Sequence, residues 1–167
     1  TSKLAVRDPQ SGTWTVPFVI EPSAGLDRGV LAVLTEAYHE ENLGDGKTRT
    51  VLKIKPHLAP IKVAVIPLAR NKDKIVSAAR RVVKQCRQLN IGRVSYEASG
   101  NIGKNYRRQD EIGTPLCITI DFDTLGEDDI NLKDTVTIRH RDDMSQTRMP
   151  IHELNDFLRN FFNQNSI

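Results

Sequence analysis

Glu21 and Ser23 stand two residues apart at the end of an extended run, Trp14 to Glu21, so a strand that continues past Pro22 projects a carboxylate and a hydroxyl from one face. A carboxylate so placed can hold an ammonium ion by a charge-assisted contact. Gly25 and Gly29 bracket Arg28, whose planar, permanently charged fork suits both phosphate oxygens and a flat ring. The glycines let a backbone approach a ligand closely, or equally serve packing. Further along, Lys104, Tyr106, Arg107, Arg108, Asp110 and Glu111 crowd one short segment, and Arg139 and Arg141 recur on what reads as the exposed face of a strand. Forked donors beside acidic acceptors, with Tyr or Arg planes for stacking, are what the reading of unpaired RNA bases requires. Plainer readings stand beside these: Glu21 ends a strand, Ser23 turns the chain, Arg28 pairs with a surface acid, and Asp110, Glu111, Arg139 and Arg141 form an internal salt-bridge lattice.

The elements that must position these side chains follow from pattern. Leu4 to Val6, the turn Pro9 to Gly12, and Trp14 to Glu21 predict a β-hairpin. Val30, Val33, Leu34, Ala37 and Tyr38 recur at helical spacing, with Asp27 as the expected N-cap and Gly44-Asp45-Gly46 ending that region. Arg49 to Lys55 alternates as a strand. The stretch Pro56 to Pro60 reads as a linker, which divides the chain into 1–58 and 59–167.

From Ile61 the order becomes α/β. Val63 to Ile66 is an unbroken apolar run, as for a strand covered on both faces. Ile75, Ala79, Val82, Cys86 and Leu89 form one helical stripe, while Arg80, Arg81, Lys84 and Arg87 predict a solvated face. Asn90 and Gly92 stop that helix. Val94 to Glu97 predicts a strand parallel to the first, because a helix connects them. A short helix over Ile102 to Ile112 follows. Ile118, Ile120 and Phe122 then alternate with Thr119 and Asp121, and Val136 and Ile138 with Thr137, Arg139 and Arg141, as strands with one polar face; His140 falls on the inward side. Leu154, Phe157, Leu158, Phe161 and Phe162 close the chain as an amphipathic helix.

Composition narrows the classes. An apolar fraction of 38% with 27% charged residues fits a globular domain rather than a disordered tail. No apolar run approaches the roughly 18 residues of a membrane span and no leader opens the chain, so no membrane partner and a cytoplasmic location are expected. Cys86 and Cys117 make no CxxC motif and sit inside apolar patterns, which predicts buried thiols. The histidines His39, His57, His140 and His152 are scattered, and no metal site is expected. A net charge of +3 permits a polyanionic partner without demanding one. Thr1 is not a methionine and the pattern opens in mid-fold, which predicts a piece of a longer protein.

The run Glu21-Pro22-Ser23-Ala24-Gly25-Leu26-Asp27-Arg28 resembles motif 3 of class II aminoacyl-tRNA synthetases, in the form used by the homodimeric glycyl-tRNA synthetases. The resemblance continues through Leu58-Ala59-Pro60, Val65-Ile66-Pro67-Leu68, Ser99-Gly100-Asn101-Ile102-Gly103, and Tyr106-Arg107-Arg108-Gln109-Asp110-Glu111-Ile112-Gly113-Thr114-Pro115. Thr119-Ile120-Asp121-Phe122-Asp123, Thr135-Val136-Thr137-Ile138-Arg139 and Arg141-Asp142 extend it over nearly the whole chain. It implies an α/β fold: an anticodon-binding domain with a mixed five-stranded sheet flanked by helices, preceded by the end of a class II antiparallel catalytic domain. It implies that Glu21 meets the ammonium of glycine, that Ser23 adds a hydroxyl to that pocket, and that Arg28 lies on the adenine of ATP and reaches its γ-phosphate beside Gly25. Arg107, Arg108, Asp110, Glu111, Arg139 and Arg141 become candidates for reading the two cytosines that end a glycine anticodon.

The partners implied are glycine, ATP and glycine tRNA, within a homodimer in the intact enzyme. Magnesium would accompany ATP, with ligands mostly upstream and none assigned here. Motifs 1 and 2, with the dimer interface and most ATP contacts, are expected upstream as well, so the chain alone is expected to be inactive. The competing class is a non-catalytic nucleic-acid-binding module, such as the accessory subunit of mitochondrial DNA polymerase or a regulatory paralogue of the anticodon domain. The intact run Glu21 to Arg28 discriminates, because a protein with no glycine to activate needs no such set.

Overall fold

A computed structural model describes residues 3–164; Thr1 lies outside them. The described residues pack as two compact units, divided between Ala32 and Val33. In the first, β1 (Val6–Arg7) pairs antiparallel with β2 (Trp14–Thr15). Asp8 fastens the turn by accepting from the Gln10 N–H at 2.9 Å and the Ser11 hydroxyl at 2.7 Å. The hairpin is much shorter than expected. Residues 16–25 have no regular structure, and Trp14, Phe18 and Ile20 are exposed. Pro17 and Pro22 lack the donors a strand would use, and apolar alternation makes a strand only where a partner edge covers it. The helix α1 (Leu26–Ala37) begins one residue before Asp27, so Asp27 occupies its first turn, where a carboxylate favours the positive end of the helix dipole, and does not cap it.

The second unit opens with an antiparallel hairpin, β3 (Tyr38–Asn42) and β4 (Thr48–Leu52). Gly44, Asp45 and Gly46 all take positive φ at its tip, so they turn a hairpin and do not close a helix. The strand β3 escaped the sequence pattern because Tyr38-His39-Glu40-Glu41-Asn42 is polar on both sides and mostly exposed. The expected linker is a fastened loop. Lys62 Nζ donates to the carbonyls of Pro56, His57 and Ala59 at 2.9, 2.7 and 2.9 Å, and burial lowers its pKa. Gly92 (φ 117) makes room for this lysine, since a Cβ there would stand 2.8 Å from Lys62 Cγ.

The core is a five-stranded mixed sheet. β5 (Val63–Pro67), α2 (Asp73–Gln88), β6 (Val94–Tyr96), α3 (Ile102–Glu111) and β7 (Leu116–Ile120) form two parallel crossovers. The short α4 (Phe122–Leu125) and a 3-10 turn at Ile130–Leu132 lead to β8 (Thr135–His140) and β9 (Gln146–Pro150), both antiparallel, and α5 (Leu154–Gln164) closes the domain. The strand order is β6-β5-β7-β8-β9. From β5 the chain crosses first to one side and then to the other, so two crossovers of the same hand put α2 and α3 on opposite faces.

Packing follows that rule. On one face α2 and α5 bury Val63, Val65, Leu116, Ile118, Ile120, Val136 and Ile138; on the other, Ile102 and Tyr106 of α3 cover Ala64, Ile66 and Cys117. β7 is therefore buried on both sides and has no polar solvent face. It stops at Ile120, where Asp121 caps α4 through the Thr124 N–H at 3.0 Å, so Phe122 begins a helix rather than continuing a strand. His140 is half-buried against the rings of Phe157 and Phe161, as its inward position predicts.

Candidate nucleic-acid interface

The helix α3 sorts the polar cluster into two groups. Asn101 starts it by accepting from the Lys104 N–H at 2.9 Å. The helical period then turns Asn105, Gln109 and Asp110 inward and leaves Lys104, Arg107 and Glu111 in solvent. Asp110 is only 1% exposed. One of its oxygens accepts from Arg139 Nη1 at 2.8 Å, and the other from Arg139 Nη2 at 3.0 Å and Arg49 Nε at 2.9 Å. Arg49 also pairs with Glu41 at 2.8 Å and donates to the Arg141 carbonyl. Arg141 is buried too, donating to the Gly113 carbonyl and to Asp142, each at 2.7 Å.

Expected on an exposed strand face, Arg139 and Arg141 thus lie inside, and Asp110 with them. Asp110 and Tyr106 of α3 cover Arg139 on β8, Arg141 follows β8 in the turn, and each buried charge is held by an opposite charge or a carbonyl. Burial by itself would lower the pKa of Arg139; the hydrogen bonds and charge of Asp110 outweigh it and leave it raised. The Arg139 guanidinium lies 4.7 Å from the centre of the Tyr106 ring, and the Tyr106 hydroxyl meets Thr119 Oγ1. Arg108 is tied to the loop after β6 by Ser99 Oγ at 2.6 Å and Glu97 at 3.7 Å. Glu111 takes no part in the lattice and is exposed.

A second polar group lies on the same face. Register places Thr119 of β7 opposite Thr137 of β8, and Thr137 opposite Arg148 of β9, so one row crosses three strands. α3 packs on β5 and β4, and Thr137 and Arg148 remain half-exposed. Arg148 is held by Thr135 Oγ1 at 2.8 Å, by Asp123 at 3.2 Å and by Asp121. This fork and its two carboxylates sit at the carboxyl end of β7, the end of a parallel strand where α/β sheets bind ligands. Arg148 escaped sequence analysis because β9 is a short, largely exposed edge strand. The signal was the turn Asp142-Asp143-Met144-Ser145, with Met144 at φ 60, after a strand and before a second alternating run.

Glu21, Ser23, Gly25 and Arg28 are all exposed, the first three in irregular chain and Arg28 in the first turn of α1. Among the described residues no hydrogen bond or ion pair engages the side chains of Glu21, Ser23 or Arg28. A Cβ at Gly25 would only touch the Arg28 side chain at 4.0 Å, and at Gly29 it would meet nothing.

Residues 62–161 match the anticodon binding domain family. The chain belongs to that family. The span that matches this anticodon binding domain runs from just before β5 into α5 and so contains the whole five-stranded sheet. Arg49 and its hairpin lie outside it. The chain is 56% identical over 162 residues to a glycine–tRNA ligase of Thermus thermophilus, covering 95% of this chain and 32% of that protein. It is 57% identical over 156 residues to a glycine–tRNA ligase of Deinococcus radiodurans (92% and 31%), and 45% over 159 residues to one of Corynebacterium efficiens (93% and 32%). The chain spans about a third of the length of these relatives.

The anticodon binding domain buries both thiols, and burial pushes each up to about 12. Among the described residues no group of three or more His, Cys, Asp or Glu side chains is placed to hold a metal ion, and no helix is long and apolar enough to cross a membrane.

Proposed function

We propose that the chain works as part of a glycine–tRNA ligase, supplying motif 3 to the glycine and ATP site and reading the anticodon of glycine tRNA. The observation that carries this is the unbroken run Glu21 to Arg28 joined to an anticodon binding domain. The functional division is proposed at the linker, as 1–58 and 59–167. The intact enzyme is proposed to be a cytoplasmic homodimer. A non-catalytic module has no use for Glu21, Ser23 and Arg28 together, and the relatives above are ligases by name.

In the proposed reaction the glycine carboxylate attacks the α-phosphorus of ATP and pyrophosphate leaves; a hydroxyl of the terminal tRNA ribose then attacks the carbonyl carbon of the adenylate and AMP leaves. Glu21 holds the ammonium in place by charge, and Ser23 adds a hydroxyl beside it. Arg28 stacks on the adenine and forks to the γ-phosphate. Neither packing nor backbone twist requires Gly25 or Gly29 within this chain, which supports their role in letting ATP approach. Magnesium would neutralise the phosphates; the described residues offer it no ligand set, so its ligands are proposed to lie elsewhere in the longer protein.

For the anticodon, the accessible groups are Arg107, Arg108 and Glu111 on α3 and the row from Thr137 to Arg148. Arg107 and Arg108 are proposed to hold phosphates, while Asp121, Asp123 and Glu111 can accept from cytosine amino groups. Asp110, Arg139 and Arg141 act from behind, holding α3 and the Tyr106 ring in register. The test is a titration, at fixed salt, of labelled anticodon stem-loops carrying matched or substituted cytosines. Each substitution is expected to weaken binding by roughly 1–3 kcal/mol. Equal affinities would reject the domain as a reader of those bases.

A further inference from the structure

The outer side of α2 carries a charge pattern that the anticodon row does not use. Arg80, Lys84 and Arg87 recur at helical spacing on one stripe and are all exposed. With Gln88 and Tyr96 they line a concavity of about 540 Å³ at the β6 edge of the sheet, on the face opposite α3. Among the described residues none of the three cations joins an ion pair, although Lys74 of the same helix reaches Glu127 at 3.7 Å. Two of them are held in place. The Arg80 guanidinium lies 5.6 Å from the centre of the Tyr96 ring, and Arg87 Nη2 donates to the Val94 carbonyl at 3.3 Å.

Like charges one helical turn apart repel, so an uncompensated stripe of three is mildly destabilising unless an anion covers it. Over the seven residues from Arg80 to Arg87 the axis rises by about 10 Å, an interval in which a nucleic-acid duplex presents several phosphates. The stripe carries no acidic acceptor to read a base edge, and its one aromatic ring is occupied by Arg80. We propose that this face grips the phosphodiester backbone of an RNA stem, as a second contact separate from the anticodon row. The inference rests on the chain binding RNA, and it adds a surface that the α3 side does not supply.

The test compares the 167-residue chain with the double variant Arg80→Gln, Lys84→Gln and with Lys84→Gln alone, which disturbs no partner. The probe is a blunt RNA duplex with no loop, titrated across salt concentrations. Loss of two phosphate contacts is expected to reduce the slope of log Kd against log salt by about 1.8, and loss of one by about half that. A charge-matched control, Lys47→Gln with Lys74→Gln, is expected to leave the slope unchanged. A glycine anticodon stem-loop measured in parallel is expected to keep its discrimination between cytosine variants. The proposal is overturned if the slope does not move, if the control moves it equally, or if a polyglutamate peptide displaces the duplex as well as unlabelled duplex does. Retained cytosine discrimination with an unmoved duplex slope sinks this inference alone. No binding of either RNA sinks both it and the reading of the domain as an RNA binder.

Discussion

Replacing Asp110 by Asn keeps the size of the side chain and removes the charge that two buried guanidiniums share. Arg139, 5% exposed, then loses the one ion pair it makes among the described residues, keeping at most a neutral acceptor and its place on the Tyr106 ring; Arg49 keeps Glu41 at 2.8 Å. Breaking a buried pair from one side costs about 3–5 kcal/mol, because the surviving charge stays out of water. An exposed pair such as Lys74–Glu127 is worth about 0–1 kcal/mol, so Glu127→Gln is the natural control. With a urea slope near 2 kcal/mol/M, Asp110→Asn should lower the unfolding midpoint by roughly 2 M. Chemical denaturation followed by circular dichroism gives both quantities. Adding Arg139→Met should restore part of the loss by removing the stranded charge, a coupling that a double-mutant cycle measures. A cost below about 1 kcal/mol for Asp110→Asn, with no recovery in the double variant, would refute the argument that this lattice is buried and mutually dependent.

In the longer enzyme, Glu21→Gln should lower kcat/KM for glycine by roughly 2–4 kcal/mol equivalent with little change for ATP, and an unchanged glycine term in steady-state kinetics would refute its role at the ammonium. Cys86 and Cys117, 0% and 1% exposed with thiols pushed up to about 12, should resist a thiol reagent in the native chain and react fully once unfolded; native-state labelling of either would contradict their burial. The hydrogen bond from Lys53 and the charge of Arg49 hold the Glu41 carboxyl below its ordinary 4.5. A carboxylate with a depressed native pKa stabilises fully above its unfolded value and loses that contribution as pH falls through the native one. The stability difference between wild type and Glu41→Gln should therefore be constant at neutral pH and shrink below 4.5; a difference unaltered by acid would deny the linkage.

By itself the sequence determined most of the α/β order from Ile61 onward, because the strands and helices it read there carry their own periods: unbroken apolar at Val63 to Ile66, helical at Ile75 to Leu89, alternating at Val136 to Ile138. It also offered Glu21, Ser23 and Arg28 as candidates, since they stand close along the chain in a run that resembles motif 3. What it left open were decisions made between distant segments. Polar alternation in β3 and β9 looks like loop until a partner strand satisfies its backbone, and apolar alternation in residues 16–21 looks like strand although among the described residues no edge receives it. The same limit governed the arginines. Arg139 and Arg141 have the spacing of an exposed strand face, but Asp110, 29 residues from Arg139, and Arg49, 61 residues from Asp110, reach them from other elements, and with the Tyr106 ring and the Gly113 carbonyl they hold both arginines inside. Burial of a charge depends on whether the fold delivers its counter-charge, a property of three-dimensional neighbours that no local period encodes.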